Sequence, residues 1–259
     1  MKYYIVDAFA EKLFTGNQAG VCVLDSPLDD MTMQNIAAEN NLAETAFLMK
    51  SDDKYSLRWF TPEREFDLCG HATLASAFVL FNFYEKNAEA IHFTTQSGIL
   101  TVQRSQSLYV MDFPARMPRP VEMIPLMEQA LGVPVLEAHL SRDMVLLVPD
   151  ENAVRLVTPD LNLAAKIPGC ENLIITAKGT SADFVSRYFT PGISIPEDPV
   201  TGSAHSSLIP FWAPRLNKSK MTARQLSKRG GTLICENCGD RVKIAGKAVL
   251  YLQGEIIAN

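Results

Sequence analysis

Arg58-Trp59-Phe60-Thr61-Pro62, which leads into Leu68-Cys69-Gly70-His71-Ala72-Thr73, is written nearly twice in this chain. The second copy is Arg187-Tyr188-Phe189-Thr190-Pro191, leading into Val200-Thr201-Gly202-Ser203-Ala204-His205. The offset is 129 residues from Arg58 to Arg187 and 132 from Gly70 to Gly202, so the second copy holds three extra residues between its strand-like part and its glycine. A repeat at half the chain length is a statement about architecture: two similar units, each too small to be the whole molecule. Each copy passes from alternating aromatic and polar residues, through a proline-containing turn, to a glycine and then a helix-compatible run. The first such run, Ala72 to Phe81, is apolar on every face, which a surface helix could not be, so it is expected to run through an interior.

The same reading locates the chemistry. Gly70-His71 and Gly202-Ser203 open helices, where several backbone N–H groups lack an intrahelical acceptor and attract anions. If the two halves face each other about a pseudo-twofold axis, both helix starts converge on one cleft. There they hold a carboxylate and any oxyanion that develops beside it.

Working outward, 259 residues with 47% hydrophobic and 20% charged side chains describe a soluble globule of two domains. The net charge of −5 excludes a phosphate-backbone partner, since Lys218, Lys220, Arg224, Lys228 and Arg229 make only a short local cluster. No apolar run approaches the roughly 20 residues of a membrane span, and Met1 to Asp7 reads as a strand rather than a leader, so a cytoplasmic protein is expected. Five cysteines without scaffold spacing fit a reducing compartment, and Cys235-Glu236-Asn237-Cys238 lacks a second ligand pair for zinc.

In chain order, residues 2–9 alternate as a strand, Phe14 to Gly20 reads as a loop, and Val21 to Leu24 as the next strand. An aspartate at 29 or 30 caps a helix ending near Asn40-Asn41. The strand-like run Leu42 to Met49 contains one acid, Glu44, which is either an outward residue at a strand start or a partly buried carboxyl group that gives and takes a proton. After the first repeat unit, 90–102 and 108–113 form an antiparallel meander in which His92 is structural. Pro114, Pro118, Pro120 and Pro125 mark the linker. The expected halves are 1–114, completed by a last strand at about 249–259, and 115–248. The second half offers a helix at 126–131, strands at 144–148, 173–176 and 184–189, and a helix at 203–216. Pro210 and Pro214 should shorten or kink that helix. Closing strands follow at 232–235, 241–244 and 249–253.

Taken together, Gly16-Asn17-Gln18-Ala19, Ala43-Glu44-Thr45-Ala46, Leu68 to Ala75, Asp198-Pro199-Val200-Thr201-Gly202-Ser203-Ala204-His205 and Gln225-x-Ser227-x-Arg229-Gly230-Gly231 resemble the PhzF-like isomerases of phenazine biosynthesis. The similarity runs the length of the chain in the family's order; Gln18 stands where the family usually has proline. The resemblance implies the diaminopimelate epimerase fold: α+β, two pseudo-symmetric halves, each a curled, mostly antiparallel sheet around a buried central helix. It further implies an active site in the cleft, a homodimer, and neither metal nor organic cofactor. Glu44 matches the catalytic glutamate that shuttles a proton on a small carboxylated substrate, and His71 and Asp198 match residues flanking that substrate. Gly70, Gly202 and Ser203, with Thr201 beside them, match the positions that hold its carboxylate, and Asn17 is carried over as substrate-binding.

The repeat also tests a two-thiol epimerase, because aligning Gly70 with Gly202 pairs Cys69 with Thr201. Threonine's hydroxyl is too weak an acid to replace a thiolate, so that mechanism lacks its second partner and Cys69 reads as a small buried hydrophobe. What remains is acid/base work by Glu44, with Asp198, His71 or His205 as the candidate second group. An isomerisation needs only one carboxyl group that takes and returns the proton. The alternative reading is a non-catalytic paralogue that binds a small anionic metabolite or a protein partner.

Overall fold

The duplicated aromatic stretch is a strand in both places, and its arginine does the same thing twice. Arg58 forms a fork on Glu65, with Nε and Nη2 each 2.7 Å from a carboxylate oxygen, and lies over the Phe60 ring. Arg187 forms the same fork on Glu197 at 2.7 and 2.9 Å and lies over Phe189. In each case the planar guanidinium spans the turn that follows its own strand.

The computed structural model describes residues 1–192 and 196–257. The chain divides into two compact units, Met1–Asp112 together with the stretch from Ala245 onward, and Phe113–Ile244.

In the first unit, β1 (Lys2–Ala8) and β2 (Asn17–Leu24) form an antiparallel pair. The helix α1 (Asp30–Asn40) then crosses over, so that β3 (Glu44–Ser51) runs parallel to β2 with Glu44 opposite Ala19. Asp29 caps α1 by accepting from the Thr32 N–H, and Asn41 closes it in the left-handed conformation. Antiparallel to β3 comes β4 (Lys54–Phe60), and β5 (Glu65–Phe66) folds back on its end. The helix α2 (Gly70–Val79) follows, with nine of its ten residues buried, and packs on β1, β2 and β3. A π-helical turn, Leu80–Tyr84, ends it. The strand β6 (Ala90–Thr95) runs parallel to β4, and β7 (Gly98–Ser105) and β8 (Leu108–Pro114) continue as a meander. The chain's last strand pairs with the free side of β1.

The second unit repeats this order with decorations. It begins with β9 (Arg119–Pro120), within the proline-rich stretch, and α3 (Pro125–Leu131). Then β10 (Glu137–Leu140) and β11 (Met144–Leu147) pair antiparallel, α4 (Glu151–Leu156) and α5 (Leu161–Ala164) cross over, and β12 (Leu173–Lys178) lies parallel to β11. The strand β13 (Phe184–Phe189) is antiparallel to β12, and β14 (Glu197–Asp198) folds back on it. After α6 (His205–Leu216), β15 (Lys220–Gln225) runs parallel to β13, and β16 (Gly231–Asn237) and β17 (Arg241–Gly246) follow. The final strand is β18 (Ala248–Glu255); residues 258 and 259 of the expected last strand lie outside the described residues. Antiparallel, parallel, antiparallel, then a short fold-back and a parallel strand after the helix: the pairings match step for step. The fold class is α+β of the diaminopimelate epimerase type.

Three details depart from the sequence reading. The strand β2 begins at Asn17 rather than Val21, because Asn17 to Gly20 pair with Ala8 to Ile5. The helix α6 begins at His205 rather than Ser203; residues 202–204 make a tight turn in which His205 N–H reaches Gly202 O at 3.0 Å. Its prolines do not cut it short. Pro210 cannot donate to Ser206 O, but that carbonyl accepts instead from the Arg116 backbone N–H at 2.8 Å, so the missing bond is made by another segment. Among the described residues, no helix is long and apolar enough to cross a membrane.

Candidate active site

Four side chains meet at the start of α2. His71, second in the helix and 4% exposed, brings Nε2 to 3.0 Å from Glu44 Oε2. Glu44 is the first residue of β3, with 17% of its side chain exposed, so the carboxylate keeps a water-facing side. The two atoms lie off the line of a ring N–H hydrogen bond, and the contact is chiefly electrostatic. On the other side of the ring, Nδ1 lies 3.1 Å from Asn17 Nδ2 and 3.5 Å from Cys69 Sγ. Asn17 is placed by the pairing of β2 with β1, and Cys69 by standing immediately before the helix.

This arrangement sets the proton inventory. With the Asn17 amide donating to Nδ1, the ring carries its hydrogen on Nε2, facing Glu44. With the amide turned over, Oδ1 accepts from a doubly protonated ring that still carries the Nε2 hydrogen. Burial alone would lower the His71 pKa, but the neighbouring Cys69 and Glu44 outweigh it and hold the imidazole well above its ordinary value. Burial, together with the Glu44 charge, pushes the Cys69 thiol up. Cys69 is thus more than a small hydrophobe: its sulfur touches the ring that touches the carboxylate.

At the start of α6 the chemistry is different. Thr201 Oγ1 donates to the Asp198 carboxylate, and Gln225, 1% exposed at the end of β15, bolts the loop from behind. Gln225 Nε2 donates to Asp198 O at 2.7 Å and to Thr201 Oγ1 at 3.2 Å, while its Oε1 accepts from the Thr201 N–H at 2.9 Å. Ser227 Oγ adds a bond to Pro199 O at 2.7 Å. Thr201, expected to hold substrate, therefore spends its N–H and hydroxyl hydrogen inside the protein; its role is to orient Asp198. The helix-start donors that remain for an anion are those of Gly202, Ser203 and Ala204.

The neighbouring cation was not legible in the sequence. Arg142, in the turn between β10 and β11, donates from Nη2 to Ser203 Oγ at 3.0 Å. It also forks onto Asp143, at 3.2 Å from both Nε and Nη2. Asp143 is 1% exposed and accepts further from Asn172 Nδ2 at 3.1 Å and Tyr188 OH at 3.2 Å, so this buried carboxylate is fully supplied with donors. Ser141 Oγ meets Ser207 Oγ at 2.8 Å, one helical turn beyond Ser203, which pins the same loop a second time. The guanidinium is thereby held in place beside Ser203.

His205 is not the second acid/base group. It is fully buried, its Nδ1–H donates to Thr201 O at 2.9 Å, and burial pulls its pKa down to about 4. A ring neutral throughout the physiological range and sealed from water packs the helix rather than moving protons. Gly70 and Gly202 are both buried at their helix starts. His92 stands on β6, bonded to Thr101.

The model of the phenazine biosynthesis-like protein family matches residues 6–254. An uncharacterised isomerase of Pseudomonas aeruginosa is 49% identical over 99% of this chain and 98% of its own length. A phenazine biosynthesis-like domain-containing protein of Mus musculus is 38% identical over 98% of each. The crystal structure of a PhzF-family phenazine biosynthesis protein from Enterococcus faecalis matches with a TM-score of 0.97 and 51% identity, covering 99% of both chains. At 10% identity, a hydroxyproline epimerase of Agrobacterium vitis shares the fold, with a TM-score of 0.65 over 98% of this chain and 91% of its own.

Proposed function

We propose that this chain, which belongs to the phenazine biosynthesis-like PhzF family and to its isomerase-type enzymes, moves a proton on a small carboxylated metabolite by acid/base catalysis through Glu44. The observation that carries the reading is the 3.0 Å pairing of a partly open carboxylate with a buried, proton-bearing histidine at a helix start. His71 orients Glu44 without consuming its exposed side. Glu44 then takes a proton from a carbon next to the substrate carboxylate or its conjugated system, and returns it at another carbon of that system. The negative charge that develops needs donors that do not reorganise. In the first unit the Gly70 N–H is of that kind, and in the second unit the N–H groups of Gly202 and Ser203 and the Ser203 hydroxyl are. Asp198, oriented by Thr201 and Gln225, is the group through which a second proton transfer would run.

The reaction asks for no redox step and no covalent intermediate, only proton positions and charge stabilisation, which side chains and backbone supply. The test is incorporation of deuterium from D2O into candidate small carboxylic acids, followed by NMR. Wild-type protein exchanges a carbon-bound hydrogen of its substrate, and Glu44→Gln does not, while still binding it. Exchange that survives Glu44→Gln removes Glu44 from the role. The homodimer implied by the family resemblance is checked by light scattering.

A further inference from the structure

We propose that Cys69, His71 and Glu44 also form a binding site for a thiophilic divalent cation, zinc above all, which holds the acid/base pair in an inactive state. One donor atom from each of the three residues lies within 4.8 Å of the donors of the other two. The sulfur and Nδ1 are already spaced for it at 3.5 Å. A tetrahedral zinc with sulfur at about 2.3 Å and imidazole nitrogen at about 2.0–2.1 Å sets these two ligands about 3.5 Å apart.

The third ligand faces Nε2 and has to swing toward the sulfur and Nδ1 to complete the set. Glu44 is the one able to move, because its side chain has three torsions and is the most exposed of the three, whereas His71 and Cys69 are fixed by the start of α2. Three protein ligands with a sulfur among them, and room for water as a fourth, select zinc over magnesium or calcium, which take oxygen donors. Asn17, whose amide faces Nδ1 at 3.1 Å, turns over on binding and offers Oδ1 to the ion or to its bound water.

The chemistry balances simply. The ion displaces the Cys69 thiol proton and the Nδ1 proton of the His71 imidazolium to solvent and forms one metal–sulfur and one metal–nitrogen bond, so the net charge of the cluster is unchanged and nothing is oxidised or reduced. The ion takes the lone pairs of Glu44 that would otherwise accept a substrate proton. That inhibitory consequence rests on the Glu44 reading; the binding itself stands on the ligand geometry alone.

The experiment is titration of metal-free, full-length protein with Co2+ as the spectroscopic probe, followed by Zn2+ competition. One equivalent should give a sulfur-to-cobalt charge-transfer band that Zn2+ removes. The band should vanish in Cys69→Ser, persist in Cys238→Ser, which removes the exposed cysteine, and require about 100-fold more Co2+ in His71→Asn. No band in the wild type, a band that survives Cys69→Ser, or one that disappears in Cys238→Ser overturns the site. If Cys69→Ser does not fold, 15N NMR of His71 in the wild type decides: its Nδ1 resonance must shift on adding one equivalent of Zn2+, and an unmoved resonance overturns the site. Deuterium exchange measured with a chelator present tests Glu44 separately. With exchange established, its persistence at one bound equivalent of Zn2+ overturns the inhibition.

Discussion

Each unit buries one histidine at the start of its central helix, and the two are driven in opposite directions. His71 is held above its ordinary pKa and His205 is pulled down to about 4, although both are almost wholly removed from water. Burial acts on both in the same sense, against the charged ring. The difference lies in the partners: Cys69 and then Glu44, 3.0 Å away, raise His71, whereas the partner of His205 is a backbone carbonyl 2.9 Å away. A full charge outweighs desolvation and a dipole does not. The duplicated scaffold therefore supplies two equivalent places, and the side chains that face each ring decide which way its pKa moves.

The sharpest way to break that contrast is Glu44→Gln. Proton exchange on substrate should fall by about 10²–10⁴-fold, the usual worth of a positioned general base. The His71 pKa should drop in an NMR titration, while that of His205 stays where it is. A His71 that does not respond would show that Glu44 is not what holds it up.

Next in size is Asp143→Ala, which strips the carboxylate from beneath Arg142, Asn172 and Tyr188. Breaking one side of a buried ion pair costs about 3–5 kcal/mol, read as a lowered midpoint in urea unfolding. Arg142→Met should lower the midpoint as well, because it leaves the buried Asp143 carboxylate without its cation, and it should weaken substrate binding in addition.

The pH dependence of stability separates the two histidines directly. His205 has a folded pKa depressed from 6.5 to about 4, so the native state binds fewer protons than the unfolded chain across that interval. Its contribution is intact above pH 6.5 and is lost as pH falls from 6.5 through 4, amounting to about 3 kcal/mol in all. His205→Gln should flatten that part of the curve in urea unfolding at stepped pH. The smallest expected effect is that of Asp29→Ala, which removes the α1 cap. It should lower the urea midpoint only slightly and leave exchange untouched, since α1 contributes no group to the site.

How much of this was open to the sequence follows from how local each signal is. The strand–glycine–helix repeat was legible because a few consecutive residues write it: β13 at Phe184–Phe189 and the buried run after Gly70 follow from spacing and apolarity. The fork of each repeated arginine onto a glutamate was not, because Glu65 and Glu197 fall at different distances past the strand: seven residues after Arg58 and ten after Arg187. Arg142 and Asp143 look like an ordinary polar turn until β12 and β13 bring Asn172 and Tyr188 beside them. β15 was hidden inside a stretch that reads as a basic cluster, Lys218 to Arg229. The prolines of α6 misled for a related reason, since the Arg116 N–H that repairs the helix comes from a segment about ninety residues earlier. Glu44, by contrast, was visible as the lone acid in an apolar strand, though nothing nearby in sequence says that His71 stands beside it.

The last strand has a consequence for biogenesis. Since β18 pairs with β1 from Lys2 opposite Glu255 to Ala8 opposite Ala248, the first unit lacks one border of its sheet until residues 248–255, made after the second unit, have left the ribosome. The second unit is continuous from Phe113 to Ile244 and can close before that. During synthesis the earlier-made half is thus the later-finished one, and the open side of β1 is a pairing edge that the nascent chain has to carry until β18 arrives.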